Sequence, residues 1–307
     1  MIFLRIFKNR GDFYIPATKF KSDREQKILL AILAFVVAFT AVFILIVGIK
    51  YDFSAKKFFT PKNINVEEID NINVLPEVEG KNNFLFIMKN DVTEDIYVCS
   101  LIQVDLDNFA YKVSTLDVNT NIEGNDINNI YKRGGAGNVV NAINNLLGID
   151  IDYFIDLSVK KYKEMFDAMG NINYTVLSDI RYKDTSTYGF NIKIKEGDQN
   201  INGDTASKLM RYYLTEKRYD LVNEILLTSL SQQINPENYE KREKLFSRFI
   251  DSAATNITIK SFSEGDNGMR VLSSENTGAN VYSAYPIYED NNIISSSIDD
   301  IRGYFVK

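Results

Sequence analysis

The chain has no histidine, no tryptophan, one cysteine and only five prolines in 307 residues. Without histidine, Ser-His-Asp and Cys-His nucleophile pairs are excluded, as are His-ligated metal centres. With Cys99 alone, no disulfide forms within the chain, so the fold must hold by packing, and the thiol reads as a core residue of an apolar strand. Any chemistry falls to carboxylates, Arg, Lys, Tyr or hydroxyls. Positive charge is scarce too, and unevenly placed. Seven of the 35 Lys and Arg lie in residues 1–27, which leaves 28 against 38 acids beyond them, a formal charge of −10. Nucleic acid is therefore excluded as a partner of that larger part.

What the chain does have is one long uncharged run, Ile28 to Ile49, 22 residues. As a helix it reaches roughly 33 Å, enough to cross a ~30 Å hydrocarbon core. The basic residues before it predict a cytoplasmic N-terminal tail over 1–27. The competing reading, a cleaved signal peptide, would have a shorter apolar region and a small-residue cleavage site, whereas Lys50-Tyr51-Asp52 follows here. A retained transmembrane helix over 28–49 places residues 50–307 outside the cell membrane. Residues 50–81 are polar, contain Pro61 and Pro76, and read as an extracytoplasmic stalk; 82–307 is long enough for one globular domain.

Within that domain strand and helix patterns alternate, which predicts an α/β fold. Phe84 to Met88 is a short apolar run expected of a strand buried on both faces, followed by strands at about 96–104 and 110–116. Val139, Val140, Ile143, Leu146 and Leu147 keep helical spacing, with Gly148 as C-cap. Tyr153, Ile155, Leu157 and Val159 alternate with Asp152, Phe154, Asp156 and Ser158, the mark of a strand with two unlike faces. A helix with Tyr162, Met165, Phe166 and Met169 on one side precedes a strand at 172–177. A long helix is predicted from Asn202, as cap, to about Gln232, then a helix at 237–253 and strand-like pieces at 256–259 and 281–287.

Four segments carry a resemblance: Ile130-Tyr-Lys-Arg-Gly-Gly135, Ala142 to Tyr153, Phe166-Asp-Ala-Met-Gly170, and Lys195 to Ala206 followed by Arg211-Tyr212. In this order, behind such an N-terminal run, the chain resembles the LytR-CpsA-Psr family of Gram-positive cell envelopes, best over 82–232. The resemblance implies a three-layer α/β/α domain with a mixed central sheet. It also implies a phosphotransferase that moves a glycopolymer such as teichoic acid from a polyprenyl-pyrophosphate carrier to peptidoglycan, with Mg²⁺ and arginines holding the pyrophosphate and the lipid in an apolar groove. That chemistry rests on neutralising diphosphate charge by metal and guanidinium forks.

Carried onto this chain, the resemblance makes Asp91 and Asp95 the carboxylates that hold Mg²⁺, and Arg211 and Arg218 the pyrophosphate-binding pair. Asp91 and Asp95 read equally as strand-end carboxylates facing water. Arg211 and Arg218, seven apart on the predicted long helix, would share a face and suit one anion or two unrelated contacts. Several family positions have changed: Lys89 replaces a glycine, Val118-Asn119 an Arg-Asp, Tyr213 an arginine, and Leu221-Val222 an Arg-Gln. Weak or absent transfer is thus expected unless Lys89, Arg133 or another cation substitutes. The alternative is a non-catalytic member that binds carrier lipid or glycan and partners wall-synthesis proteins; gene regulation ranks behind both. Gly134 to Gly137 lacks the Gly-Lys-Ser/Thr of a phosphate loop and reads as a structural turn. Tyr212, Tyr213 and Tyr219 read as sugar contacts or as a packed helix face.

Overall fold

A computed structural model describes residues 75–275 and 278–307; the basic tail, the apolar run 28–49 and most of the stalk lie outside the described residues. Among the described residues no helix is long and apolar enough to cross a membrane. The first strand, β1 (Lys81–Lys89), hydrogen-bonds antiparallel to β2 (Ile96–Asp105), which pairs antiparallel with β3 (Ala110–Leu116). Two short strands, β4 (Asn121–Ile122) and β5 (Asn125–Asp126), pair with each other and lead into helix α1 (Ile127–Leu147). Strand β6 (Tyr153–Ser158) then lies parallel to β1, with Phe84 opposite Tyr153 and Lys89 opposite Ser158.

Helix α2 (Val159–Met169) starts directly from β6. Strand β7 (Ile172–Val176) pairs with β10 (Gly197–Ile201), and between them β8 (Ile180–Lys183) and β9 (Asn191–Ile194) form a hairpin. Residues 185–189 form the tip of that hairpin. Helices α3 (Gly203–Thr215), α4 (Tyr219–Gln233), α5 (Pro236–Glu240) and α6 (Arg242–Ser252) follow. The chain ends with β11 (Ala254–Thr255), α7 (Ile259–Glu264), α8 (Asp266–Glu275), β12 (Asn280–Ala284), the pair β13 (Tyr288–Glu289) and β14 (Asn292–Ile293), and α9 (Ser295–Phe305).

The central sheet has the order β11-β6-β1-β2-β3-β12 and is mixed, with β1/β6 and β3/β12 parallel. Because side chains alternate across a strand, β1 feeds two cores at once. Phe86 and Met88 pack with Tyr162 and Phe166 of α2, Leu209 and Met210 of α3, and Val222, Ile225 and Leu226 of α4. Leu85 and Ile87 pack with Val139, Ile143 and Leu147 of α1 and with Ile301 and Phe305 of α9. The expected α/β/α layering is what this produces. Ile301 and Phe305 are fully buried, which is worth roughly 1.5–3 kcal/mol for each side chain and seats α9 on the second layer.

Several expectations are corrected. The long helix from 202 to 232 is two helices, because Lys217 adopts a left-handed φ of 53° and the chain turns between Thr215 and Tyr219. The strand expected at 256–259 is the two-residue β11, and Thr258 instead caps α7. The strand expected at 281–287 stops at Ala284. Helix α1 begins before the glycine run and kinks within it: Gly134 is non-helical, and Gly135 has φ 67°, a conformation that suits glycine. The side of β6 that carries Asp156 does not face solvent: Tyr131 of α1 packs over it and donates to the carboxylate, which is 4% exposed.

Candidate functional site at the carboxyl ends of β1 and β6

In a sheet with parallel neighbours, ligand sites form beyond the carboxyl ends of the strands, where helix N-termini face outward. Here β1 and β6 end side by side, and α2 starts from Ser158, whose side chain accepts a hydrogen bond from Lys161 N. The loop after β1 is shaped by Asn90, whose Oδ1 accepts from Val92 N (2.8 Å) and Thr93 N (3.1 Å) while its Nδ2 donates to Tyr97 Oη (2.5 Å). Asn90 N donates to the Asp95 carbonyl at 2.8 Å, closing the loop. Short polar side chains that bond to nearby backbone favour such turns over continued strand.

The four residues expected to act together do not all meet. Asp91 accepts a hydrogen bond from Lys160 N at 3.0 Å, so its carboxylate caps the start of α2 and complements the helix dipole. Arg211 lies on α3 with its guanidinium between Tyr97 (4.0 Å to the ring centre) and Phe190 (4.3 Å), and its Nη2 donates to the Tyr188 carbonyl at 3.0 Å. Burial lowers the pKa of this guanidinium from its ordinary value, opposed by Tyr97, Asp184, Tyr182 and Asp91. Asp91 is therefore within electrostatic reach of Arg211.

Asp95 turns instead to Lys132 of α1, 2.5 Å away, and that bond holds its carboxyl below the usual range. Arg218 stands at the turn before α4 and grips Asp220 through both Nε (2.9 Å) and Nη2 (2.7 Å). The break between α3 and α4 removes the shared helix face expected of Arg211 and Arg218. The tyrosines pack: Tyr213 and Tyr219 are buried, Tyr219 donates to Asp117 Oδ2 at 2.5 Å, and Tyr212 lies against the Tyr182 and Tyr213 rings. At the altered Val118-Asn119 stretch, Asn119 N and Nδ2 both donate to Asp117 Oδ1, an Asx turn without a cation.

A cluster not expected as a unit lies at the centre of the site. Lys89, the last residue of β1, directs its Nζ to Tyr131 Oη (2.5 Å), Glu94 Oε1 (3.2 Å) and Asp156 Oδ2 (3.4 Å). Tyr131 in turn donates to the same Asp156 oxygen at 2.6 Å. Burial alone would lower the Lys89 pKa, but Tyr131, Asp156 and Glu94 outweigh it and hold the ammonium above its ordinary value. The Tyr131 phenol is pushed up to about 12, first by burial and then by Asp156. The other Asp156 oxygen, Oδ1, is buried without a hydrogen-bond partner. A charged residue in the middle of an apolar strand was the available signal. Alternation misassigned it, because it cannot distinguish a two-faced buried strand from a half-exposed one.

Magnesium prefers six oxygen ligands in near-octahedral geometry at about 2.0–2.1 Å, usually including carboxylates. Among the described residues no three His, Cys, Asp or Glu side chains converge. Asp91 caps a helix, Asp95 pairs with Lys132, and the carboxylates nearest the strand ends already hold an ammonium. The donor set does not fit the metal in this arrangement.

Comparison with known proteins gives a consistent picture. The model of the LytR_cpsA_psr family matches residues 103–292. The Polyisoprenyl-teichoic acid--peptidoglycan teichoic acid transferase TagV of Bacillus subtilis is 26% identical over 138 residues, 43% of this chain and 35% of its own length, so the match spans about a third of that relative. The TagV crystal structure superposes with a TM-score of 0.59 at 18% identity, over 75% of this chain and 97% of that one. A structure from Eubacterium siraeum, described as a transcription regulator, gives 0.66 at 18% identity over 80% and 98%. TagT bound to LI-WTA gives 0.54 at 15% identity over 76% and 94%. At these identities the superpositions carry the fold alone.

Proposed function

From the premise that this chain belongs to the LytR_cpsA_psr family, we propose that it handles a carrier-linked cell-wall glycopolymer of the teichoic acid kind, as a transferase-like protein anchored through 28–49 with its domain outside the membrane. The observation that carries this reading is Arg211. A guanidinium in contact with two rings and tied to a backbone carbonyl has lost much of its rotamer freedom in advance, so it meets a phosphate oxygen with little further ordering. Asp91, which caps the helix start beyond β1, is among the groups that act on its charge. In this reading the polyprenyl diphosphate sits beyond the carboxyl ends of β1 and β6, Arg211 holds and orients it, and peptidoglycan supplies the acceptor hydroxyl.

A second reading, a member that binds the carrier or its glycan without transferring it, is favoured by Arg218. Its guanidinium already forms a two-pronged bond with Asp220, so charge that transfer would require is engaged elsewhere. One experiment separates the two. The full-length chain in detergent micelles is titrated calorimetrically with a short-chain polyprenyl diphosphate, then incubated with a lipid-linked teichoic acid precursor and peptidoglycan oligomers. Saturable binding that Arg211→Ala weakens by roughly tenfold or more supports the site. Glycopolymer transfer supports the first reading; binding without transfer supports the second. Absence of binding overturns both.

A further inference from the structure

We propose that the Lys89 ammonium is the resident cation of this site and takes the place of a divalent metal at the carboxyl ends of β1 and β6. An ammonium has three hydrogens to donate, and Lys89 has three acceptors: Tyr131 Oη, Glu94 Oε1 and Asp156 Oδ2. Its side chain is 16% exposed and stands over the Tyr131 ring, 5.0 Å from its centre. Asp156, 4% exposed, is a buried carboxylate that requires a counter-charge, and Lys89 is the cation that supplies it. A metal entering here would have to displace the ammonium from these oxygens and then sit beside it, two cations in a poorly solvated space. The covalent tether makes the lysine the stronger competitor, since it pays no entropy of association and no dehydration of a hexahydrated ion.

The positions of the other carboxylates agree with this. Asp91 turns to the start of α2 and Asp95 to Lys132, each with a partner of its own. One consequence rests on the proposed function: if a diphosphate binds beyond the strand ends, its binding does not depend on Mg²⁺. The metal part stands without that reading, because it concerns only the protein and the ion.

The test is a Mn²⁺ titration of the full-length chain in detergent micelles, followed by electron paramagnetic resonance of free Mn²⁺. The wild type is expected to show no stoichiometric site below roughly millimolar Mn²⁺, whereas Lys89→Gly gains one site at least about tenfold tighter. A wild-type site that Asp91→Asn or Asp156→Asn removes would overturn the proposal, and so would a folded Lys89→Gly chain that gains none. Should Lys89→Gly not fold, the wild type decides alone: polyprenyl diphosphate binding should change less than about twofold between EDTA and excess Mg²⁺, and a tenfold loss in EDTA would overturn the proposal. If that lipid does not bind at all, the proposed function fails, and the wild-type Mn²⁺ titration still decides the identity of the cation.

Discussion

The two ends of β1 carry buried polar networks of opposite character. At its amino end Asn83 is fully buried: its Nδ2 donates to the carbonyls of Asp150 and Phe305, both at 2.9 Å, and its Oδ1 accepts from Gln103 Nε2 at 2.9 Å. Asn83 N donates to Asp152 Oδ2, and Gln103 also reaches the Phe305 carbonyl. Apart from the Asp152 carboxylate and the Lys307 ammonium paired with it, this network is neutral, and it goes mainly to backbone groups, fastening the end of α9 to the sheet. At the carboxyl end, Lys89, Tyr131 and Asp156 form a charged network that leaves Asp156 Oδ1 without a partner and extends to the exposed Glu94. Each network leaves one buried oxygen without a partner, Gln103 Oε1 at the amino end and Asp156 Oδ1 at the carboxyl end; what differs is that the first ties amides to main chain, whereas the second is built on a buried ion pair at the strand ends where the site forms.

The largest expected effect breaks the charged network. Asp156→Ala leaves the Lys89 ammonium with Tyr131 Oη and the exposed Glu94 but no buried counter-charge, and should lower unfolding free energy by about 3 kcal/mol in urea, the lower end for a broken buried pair because these two acceptors remain. Pairing it with Lys89→Met should restore most of that loss, since neither change then leaves a lone charge. If the double variant is as unstable as the single, the network is not held by charge. Asn83→Ala should cost roughly 2–3 kcal/mol by leaving two carbonyls and Gln103 unpartnered, and should speed proteolytic cleavage near α9; equal protection of α9 would contradict its role as a fastening.

A smaller effect concerns acid. Asp105 is fully buried, and although burial acts to raise its pKa, Asn108, Lys81 and Lys112 lower it below the usual value. A depressed folded pKa contributes stability that is present above the unfolded value of about 3.9 and is lost as pH falls through the folded one. Asp105→Asn should therefore flatten the loss of stability below about pH 4 while lowering the plateau at neutral pH, as read from urea midpoints across pH. The smallest effect is a null. Burial pushes the Cys99 thiol up to about 12, so a disulfide reagent at about pH 8 should not label the native chain and should label it fully in urea.

The three central strands, the caps at Asn202 and Gly148, and the burial of Cys99 were legible in local patterns, because each depends on residues within a few positions. Helix α9 was not anticipated, although Ile298, Ile301 and Phe305 keep helical spacing, and nothing local indicated which surface it would cover. The candidate site was legible in kind more than in partnership. Asp91 and Arg211 do share a neighbourhood, yet the relation of Arg211 to Arg218 depended on a single left-handed residue, Lys217, which a helical period does not reveal. Asp156 was misplaced because alternation describes one strand, whereas burial of its second face depends on the helix packed over it, here α1 through Tyr131.

From sequence alone came the absence of histidine chemistry and of disulfides, the α/β order and the family resemblance, all properties of composition and short-range pattern. The tertiary structure alone decided that Lys89, Tyr131 and Asp156, at positions 42 and 25 residues apart, meet at one strand end. Such a meeting depends on the register of β1 against β6 and on the seating of α1 behind them, long-range contacts whose closure no local preference encodes.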